Sequence, residues 1–233
     1  RPGNPKGIEG WNDLVPDDVD IITPNPATSG GAKWNIMAAY GSQIEQGKSE
    51  QEALDFVKQV LANTSVQDDS ARDSLQTFAG GKGDVLIGYE NGAIQAQDER
   101  LELEFVIPGE TILIENPIAA TTDGGDAAQR FVDYTRTEDA QQLFAGRGYR
   151  PVVKSVLEAN RGRFPLPGAL FTIERFGGWD KVETDFFDEE DGSIFEIQRV
   201  LGNPTEQPGA RRSMAGGGMI PSCFPSSSMT RIS

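Results

Sequence analysis

The chain has 233 residues, a formal net charge of −15, and 37% hydrophobic and 8% aromatic content. That is enough apolar material for one domain or two small lobes, while the charge argues against nucleic acid and anionic membranes as partners. It holds no histidine and a single cysteine, Cys223, which removes histidine triads, the common zinc sites and an internal disulfide.

The same charge repels a free anion at long range, so an anion site here must act locally through N–H groups. No signal peptide or membrane-spanning stretch is visible. Residues 7–14, GIEGWNDL, read as a short helix or turn with Trp11 and Leu14 on one face. Core packing is the role expected of Trp11. Residues 19–23 read as a strand, and Pro24-Asn25-Pro26 then forbids further pairing or an immediate helix.

Thr28-Ser29-Gly30-Gly31 follows. An apolar helical period opens directly after it, with Ile36, Tyr40 and Ile44 in line and Met37 beside them. The helix is expected over 32–46, with Gly47 ending it. The order is strand, tight turn, helix N-terminus. Such a terminus carries free N–H groups and partial positive charge, so it can hold an anion. Gly30 and Gly31 let a ligand approach the backbone. Ser29 can cap the helix or donate its hydroxyl outward. The stretch is not a Walker A loop, because Lys33 lacks a following Ser or Thr.

Ser49-Glu50-Gln51-Glu52 is a capping box, and Ala53, Phe56, Val57, Val60 and Leu61 mark one helical face after it. Residues 65–67 read as extended. Asp68-Asp69-Ser70-Ala71-Arg72 leads into a second capped helix ending near Ala79, and Gly80-Gly81-Lys82-Gly83 breaks it. Residues 84–88, DVLIG, read as a buried strand of the parallel type, with Tyr89-Glu90-Asn91 at its C-terminal end. Further strands are expected over 101–107, 111–114 and 118–121. Helices are expected over 126–134 and 138–144, with Thr137 as a cap, and 146–151 reads as a loop. Residues 171–187 read as helical around Phe176-Gly177-Gly178-Trp179, with Phe176, Trp179, Val182 and Phe186 as core. Asp188–Asp191 is a charge run without calcium-loop spacing, read as a solvated turn. A final helix over 194–201 stops at Gly202. From about Pro204 the composition shifts, and 208–233 reads as a disordered tail.

Strands alternating with helices mean an α/β chain with a largely parallel sheet. Ligands then sit at the C-terminal strand ends, where Ser29-Gly30-Gly31, Ser70-Ala71-Arg72 and Tyr89 all fall. An enzyme is not expected: no G-x-S-x-G motif is present, and the carboxylate pairs Asp68/Asp69 and Glu189/Glu190 are adjacent rather than facing. No cofactor or metal is expected.

The segments TPNPATSGGAKWN, DSAR, GDVLIGYEN and FGGW occur in this order. From residue 1 to about 201 the chain resembles the sulfate-binding proteins of bacterial ABC importers. The resemblance implies the two-lobed α/β fold of type II periplasmic binding proteins, with much of the first lobe missing. Residues 1–5 would end the first hinge crossing and 6–115 would form the second lobe, carrying the Ser-Gly-Gly site. Residues 116–201 would return to the first lobe, and 202–233 would be an out-of-family tail. The start at RPGNP implies a truncated sequence whose export signal lies upstream.

The implied role is a monomeric extracytoplasmic receptor, free or lipid-anchored, that delivers sulfate or thiosulfate to an ABC permease. A receptor for molybdate or phosphate, or a fragment without binding activity, are the alternatives. Ser29, Gly30 and Gly31 match the Ser-Gly-Gly that donates to sulfate, and Ala71 matches a backbone donor, with Ser70 where the family has Gly. Tyr89 stands where the family commonly has Trp. Thr28 and Arg72 flank these positions as further candidates; a structural ion pair is the other role open to Arg72. A donor-only site would reject hydrogen phosphate, whose proton meets no acceptor, at about 1–3 kcal/mol or more. With one jaw incomplete, the 233-residue chain is expected to bind sulfate weakly or not at all.

Overall fold

The computed structural model describes residues 1–205; the tail expected over 208–233 lies outside them. Strand β1 (Ile21–Pro24) is buried at all four positions. It takes β2 (Thr64–Asp68) on one edge and β3 (Val85–Leu86) on the other, both parallel to it. A strand covered on both faces needs a continuous apolar run, which Ile21 and Ile22 supply. The strand starts later than expected and runs one residue further, because Pro24 still pairs with Asp68. Proline is tolerated there as the terminal residue, where no ladder N–H is required of it.

Helices make the connections. α1 (Gly30–Glu45) follows β1, α2 (Glu50–Ala62) leads into β2, α3 (Ala71–Ala79) joins β2 to β3, and α4 (Glu90–Asp98) follows β3. The capping box forms: Glu52 N–H donates to Ser49 Oγ at 3.3 Å, and Ser49 N–H donates to Glu52 Oε2 at 2.8 Å. α2 buries Ala53, Phe56, Val57, Val60 and Leu61, as its periodicity requires. Gly47, at φ 82°, closes the end of α1 by donating to Ile44. Trp11 lies in a 3₁₀ turn (Trp11–Leu14) and is buried, and its indole N–H donates to the Glu110 carbonyl at 2.8 Å.

A second, two-stranded parallel sheet pairs β4 (Glu110–Ile112) with β5 (Ala169–Phe171). α8 (Gly178–Phe187) and α9 (Ser193–Leu201) complete this part of the chain. Aromatic side chains of α8 and of the turn before it pack on α1: Trp179 lies edge-on to Trp34 at 4.7 Å, and Tyr40 meets Phe176 at 5.5 Å and Phe186 at 4.9 Å. Val182 is fully buried, and Phe176, Trp179 and Phe186 pack against the core.

Several expected elements are altered. The strand over 84–88 shrinks to β3 and is half-buried, because it is the edge of its sheet. No strand forms over 101–107 or 118–121. Leu103, Phe105 and Ile107 do alternate as half-buried positions, but no neighbouring strand pairs with them among the described residues, and a strand exists only as part of a ladder. The helical run over 171–187 is divided. β5 ends at Phe171, a 3₁₀ turn covers Ile173–Phe176, and Gly177 and Gly178 take φ of 93° and 82° before α8. α4 and β5 were not legible. α4 contains Gly92 and buries only Ile94 and Ala96, too few for a period.

Two compact units result. One is Arg1–Ile114 together with 165–205; the other is Glu115–Phe164. The return segment expected over 116–201 is thus divided after Phe164. The smaller unit holds α5 (Gly125–Thr135), α6 (Glu138–Gly146) and α7 (Lys154–Ala159), around the fully buried Phe164. Thr137 caps α6 as expected, accepting from Ala140 N–H. Gly202 ends α9 in the left-handed region. Gly202, Asn203 and Pro204, counted with the tail from sequence, belong instead to the folded larger unit. Among the described residues no helix is long and apolar enough to cross a membrane.

Candidate functional site

Because β1, β2 and β3 are parallel, the turns that follow them leave from the same end of the sheet. Asn25 shapes the first turn and is 4% exposed. Its Oδ1 accepts from Ala27 N–H at 2.7 Å, and its carbonyl accepts from Thr28 and Ser29 N–H at 3.2 and 2.9 Å. Its own N–H donates to the Asp68 carbonyl at 2.8 Å. Asn35 fixes the helix behind the turn, donating from Nδ2 to Thr23 Oγ1 at 3.1 Å and to the Ile87 carbonyl at 2.9 Å. The start of α1 is thereby tied both to β1 and to the residue after β3.

Gly31 is where the three turns meet. A Cβ at this position would stand 3.3 Å from Ser29 Oγ, 3.4 Å from Tyr89 Oη and 3.6 Å from Ala71 Cβ. Residues 18 to 60 positions apart in sequence therefore surround one point. Gly30 is exposed beside it. Each of the three helices α1, α3 and α4 starts here, with Ser29, Ser70 and Tyr89 as their N-cap residues.

The caps differ. Ser29 and Tyr89 make no side-chain cap hydrogen bond, so the capping role open to Ser29 is not taken. Ser70 is a working cap: its Oγ accepts from Asp73 N–H at 3.2 Å and donates to Asp73 Oδ2 at 2.6 Å. Among the described residues, the N–H groups of Gly30, Gly31 and Ala71 have no hydrogen-bond partner, nor do the hydroxyls of Ser29 and Tyr89. Thr28 is turned into the loop, its Oγ1 donating to the Asn25 carbonyl at 3.3 Å. Arg72 is exposed and forms no ion pair among the described residues, so the structural ion pair open to it is not made. Lys33 is engaged elsewhere, paired with Glu183 at 2.5 Å.

Electrostatically, α1 is the least compensated terminus. Its first turn has no acidic residue, whereas α3 and α4 carry Asp73 and Glu90 in theirs. Burial pushes the Tyr89 phenol above its ordinary value. It keeps its proton at neutral pH, and a protonated phenol can donate or accept. The assembly is a set of neutral donors at helix N-termini. Helix N-termini of this kind can hold an anion through local dipoles.

The first 150 residues match the family model described as bacterial extracellular solute-binding protein. The chain belongs to this family. It is 40% identical over 197 residues to the sulfate-binding protein of Synechocystis sp., a match covering 81% of this chain and 55% of the relative. It is 36% identical over 201 residues to the thiosulfate-binding protein of Escherichia coli K12, covering 80% of this chain and 58% of the relative. Among solved structures, the sulfate-binding protein SubI from Mycobacterium tuberculosis H37Rv matches with a TM-score of 0.73 and 39% identity, over 81% of this chain and 67% of that one. The chain thus spans between half and two thirds of the length of these curated relatives. The likeness gives this solute-binding protein the α/β periplasmic-binding-protein fold expected from its motifs.

Sequence reasoning named the residues around Gly31 but not those that hold them. Asn25, Asn35 and Thr23 lie inside the quoted TPNPATSGGAKWN segment, yet nothing in one sequence separates a ligand from a turn support. Pro204 could not be found at all, because it enters the network across 179 positions.

Proposed function

We propose that this solute-binding protein captures sulfate over Gly31 and delivers it, outside the cytoplasm, to an ABC permease. Gly30, Gly31 and Ala71 supply backbone N–H donors, and Ser29 and Tyr89 supply hydroxyls. The observation that carries the reading is the convergence of Ser29 Oγ, Tyr89 Oη and Ala71 within 3.3–3.6 Å of one Cβ position at Gly31. Charge-assisted bonds from such donors are roughly twice as strong as neutral ones. A fully deprotonated dianion leaves no ligand proton unmatched. Thiosulfate presents a similar donor-seeking surface, and relatives of both kinds align over this chain. Arg72 lies one residue beyond Ala71 and adds favourable charge without a fixed contact.

Amide chemical shifts test this, because they report weak as well as tight binding. Titration with sulfate should shift the Gly30, Gly31 and Ala71 amides saturably. Thiosulfate should act at the same amides and phosphate far less. No saturable response at these three amides would overturn the site. A stronger response to molybdate than to sulfate would reassign the ligand.

A further inference from the structure

A chain of hydrogen bonds runs from the end of α9 to the turn that presents Gly31. Gln198 is fully buried. Its side-chain amide pairs reciprocally with that of Gln67 in β2, at 2.9 and 3.1 Å. Gly202, at φ 77°, turns the chain back after α9. Asn203 then donates from Nδ2 to Gln198 Oε1 at 2.6 Å and from its N–H to the Gln198 carbonyl at 2.9 Å. The carbonyl of the next residue, Pro204, accepts from Asn25 Nδ2 at 2.9 Å.

That last bond decides which way the Asn25 amide faces. With Nδ2 held by Pro204, Oδ1 is left to accept from Ala27 N–H at 2.7 Å. Flipped by half a turn, the amide would set an NH₂ against the Ala27 N–H and the Pro204 carbonyl against Oδ1, losing both bonds. Asn25 is buried, so water cannot replace them freely. We propose that Gln198, Asn203 and Pro204 form a brace that holds Asn25 in the rotamer that builds the anion turn. They are positioning residues and lie outside the donor set around Gly31. Order in 198–204 and anion affinity are coupled, each strengthening the other. The consequence for affinity rests on the function proposed above; the effect on the turn does not.

The test uses the full 233-residue chain and three substitutions. Asn203→Ala removes the side-chain bond to Gln198 from outside the turn. Asn25→Ala opens the turn directly. Arg199→Ala is the control, since Arg199 bonds the Glu189 and Glu190 carbonyls at 2.8 and 3.0 Å on the same helix end. Amide exchange is followed over residues 27–33 and over α2, with sulfate affinity in parallel. Asn203→Ala should speed exchange about fivefold at the amides within 27–33 that bond to Asn25, those of Ala27, Thr28 and Ser29, the worth of one hydrogen bond. It should lower sulfate affinity by a similar factor and leave α2 unchanged. Arg199→Ala should match the parent. If Asn25→Ala does not fold, Asn203→Ala decides. Unchanged exchange over 27–33 in Asn203→Ala overturns the brace, as does equal acceleration by Arg199→Ala. Faster exchange in Asn203→Ala with no sulfate response even in the parent upholds the brace and sinks the sulfate reading. A sulfate response untouched by Asn203→Ala, with unchanged exchange, does the reverse.

Discussion

At the scale of single residues, Gly31 has the narrowest tolerance in the site. Its missing side chain is the space that Ser29 Oγ, Tyr89 Oη and Ala71 Cβ surround at 3.3–3.6 Å. Gly31→Ala places a methyl group there. Helix propensity favours alanine over glycine by about 0.5–1 kcal/mol, so the thermal midpoint should not fall. The sulfate-induced amide shifts should nonetheless disappear. A Gly31→Ala protein that responds like the parent would place the ligand elsewhere. Tyr89→Phe is the companion change. It removes one hydroxyl that has no partner among the described residues, so stability should hold while sulfate affinity drops about ten- to a hundredfold, the range for a hydrogen bond to a charged group.

The tyrosines also set an alkaline limit. Burial, with the Glu50 charge as a second cause, pushes Tyr40 up to about 12, and burial raises Tyr89. An unfolded tyrosine loses its proton near 10. Between these values the unfolded chain binds fewer protons than the folded one, so stability falls as pH rises. The contribution is complete below about 10 and is lost progressively toward 12. Denaturant midpoints should decline across that window, with part of the phenolate absorbance appearing late. Titration of all four tyrosines as one group near the unperturbed value would contradict this.

At the scale of elements, α1 does two jobs. Its first turn faces the proposed anion site, and its later turns carry the aromatic packing of α8 and the residues before it. Gly41 lies on that packed face: a Cβ there would overlap the Phe171 ring and come within 2.9 Å of Phe176 Cζ. Gly41→Ala is therefore overpacking, with an expected loss of about 1–3 kcal/mol. A denaturant melt checks it, and a stabilised variant would refute the close fit. α1, α2, α3, α6 and α9 were legible because each carries a cap residue, a Gly stop or an apolar period in its own sequence. The strands over 101–107 and 118–121 were misread for the converse reason. Alternation states which side chains face inward, but pairing needs a partner that local sequence does not contain. The divided run over 171–187 follows from Gly177 and Gly178, whose positive φ values are incompatible with a continued helix.

At the scale of the molecule, charge and site oppose one another. A net charge of −15 repels a dianion at long range, while under the proposed function the donors around Gly31 attract it at contact. Added chloride salt screens the first over a Debye length of about 10 Å at 0.1 M and barely touches the second. The sulfate association rate should therefore rise with ionic strength, the reverse of a basic receptor, and stopped-flow mixing reads it directly. A rate that falls with salt would show that the local field of the helix termini governs the approach.

The sequence by itself determined the alternation of strands and helices, the helix caps, the glycine-rich turn after β1 and, through ordered motifs, the family. These are local properties: dihedral freedom at Gly30 and Gly31, a hydroxyl at the N-cap position, apolar spacing along one face. Tertiary structure alone decided that Ser29 leaves its helix uncapped, that Tyr89 and Ala71 meet it over Gly31, and that Pro204 orients Asn25 from 179 positions away. Each of these depends on distances between segments remote in the chain. Such distances are fixed by the parallel register of β1, β2 and β3 and by the packing of α9, not by any residue's own preference.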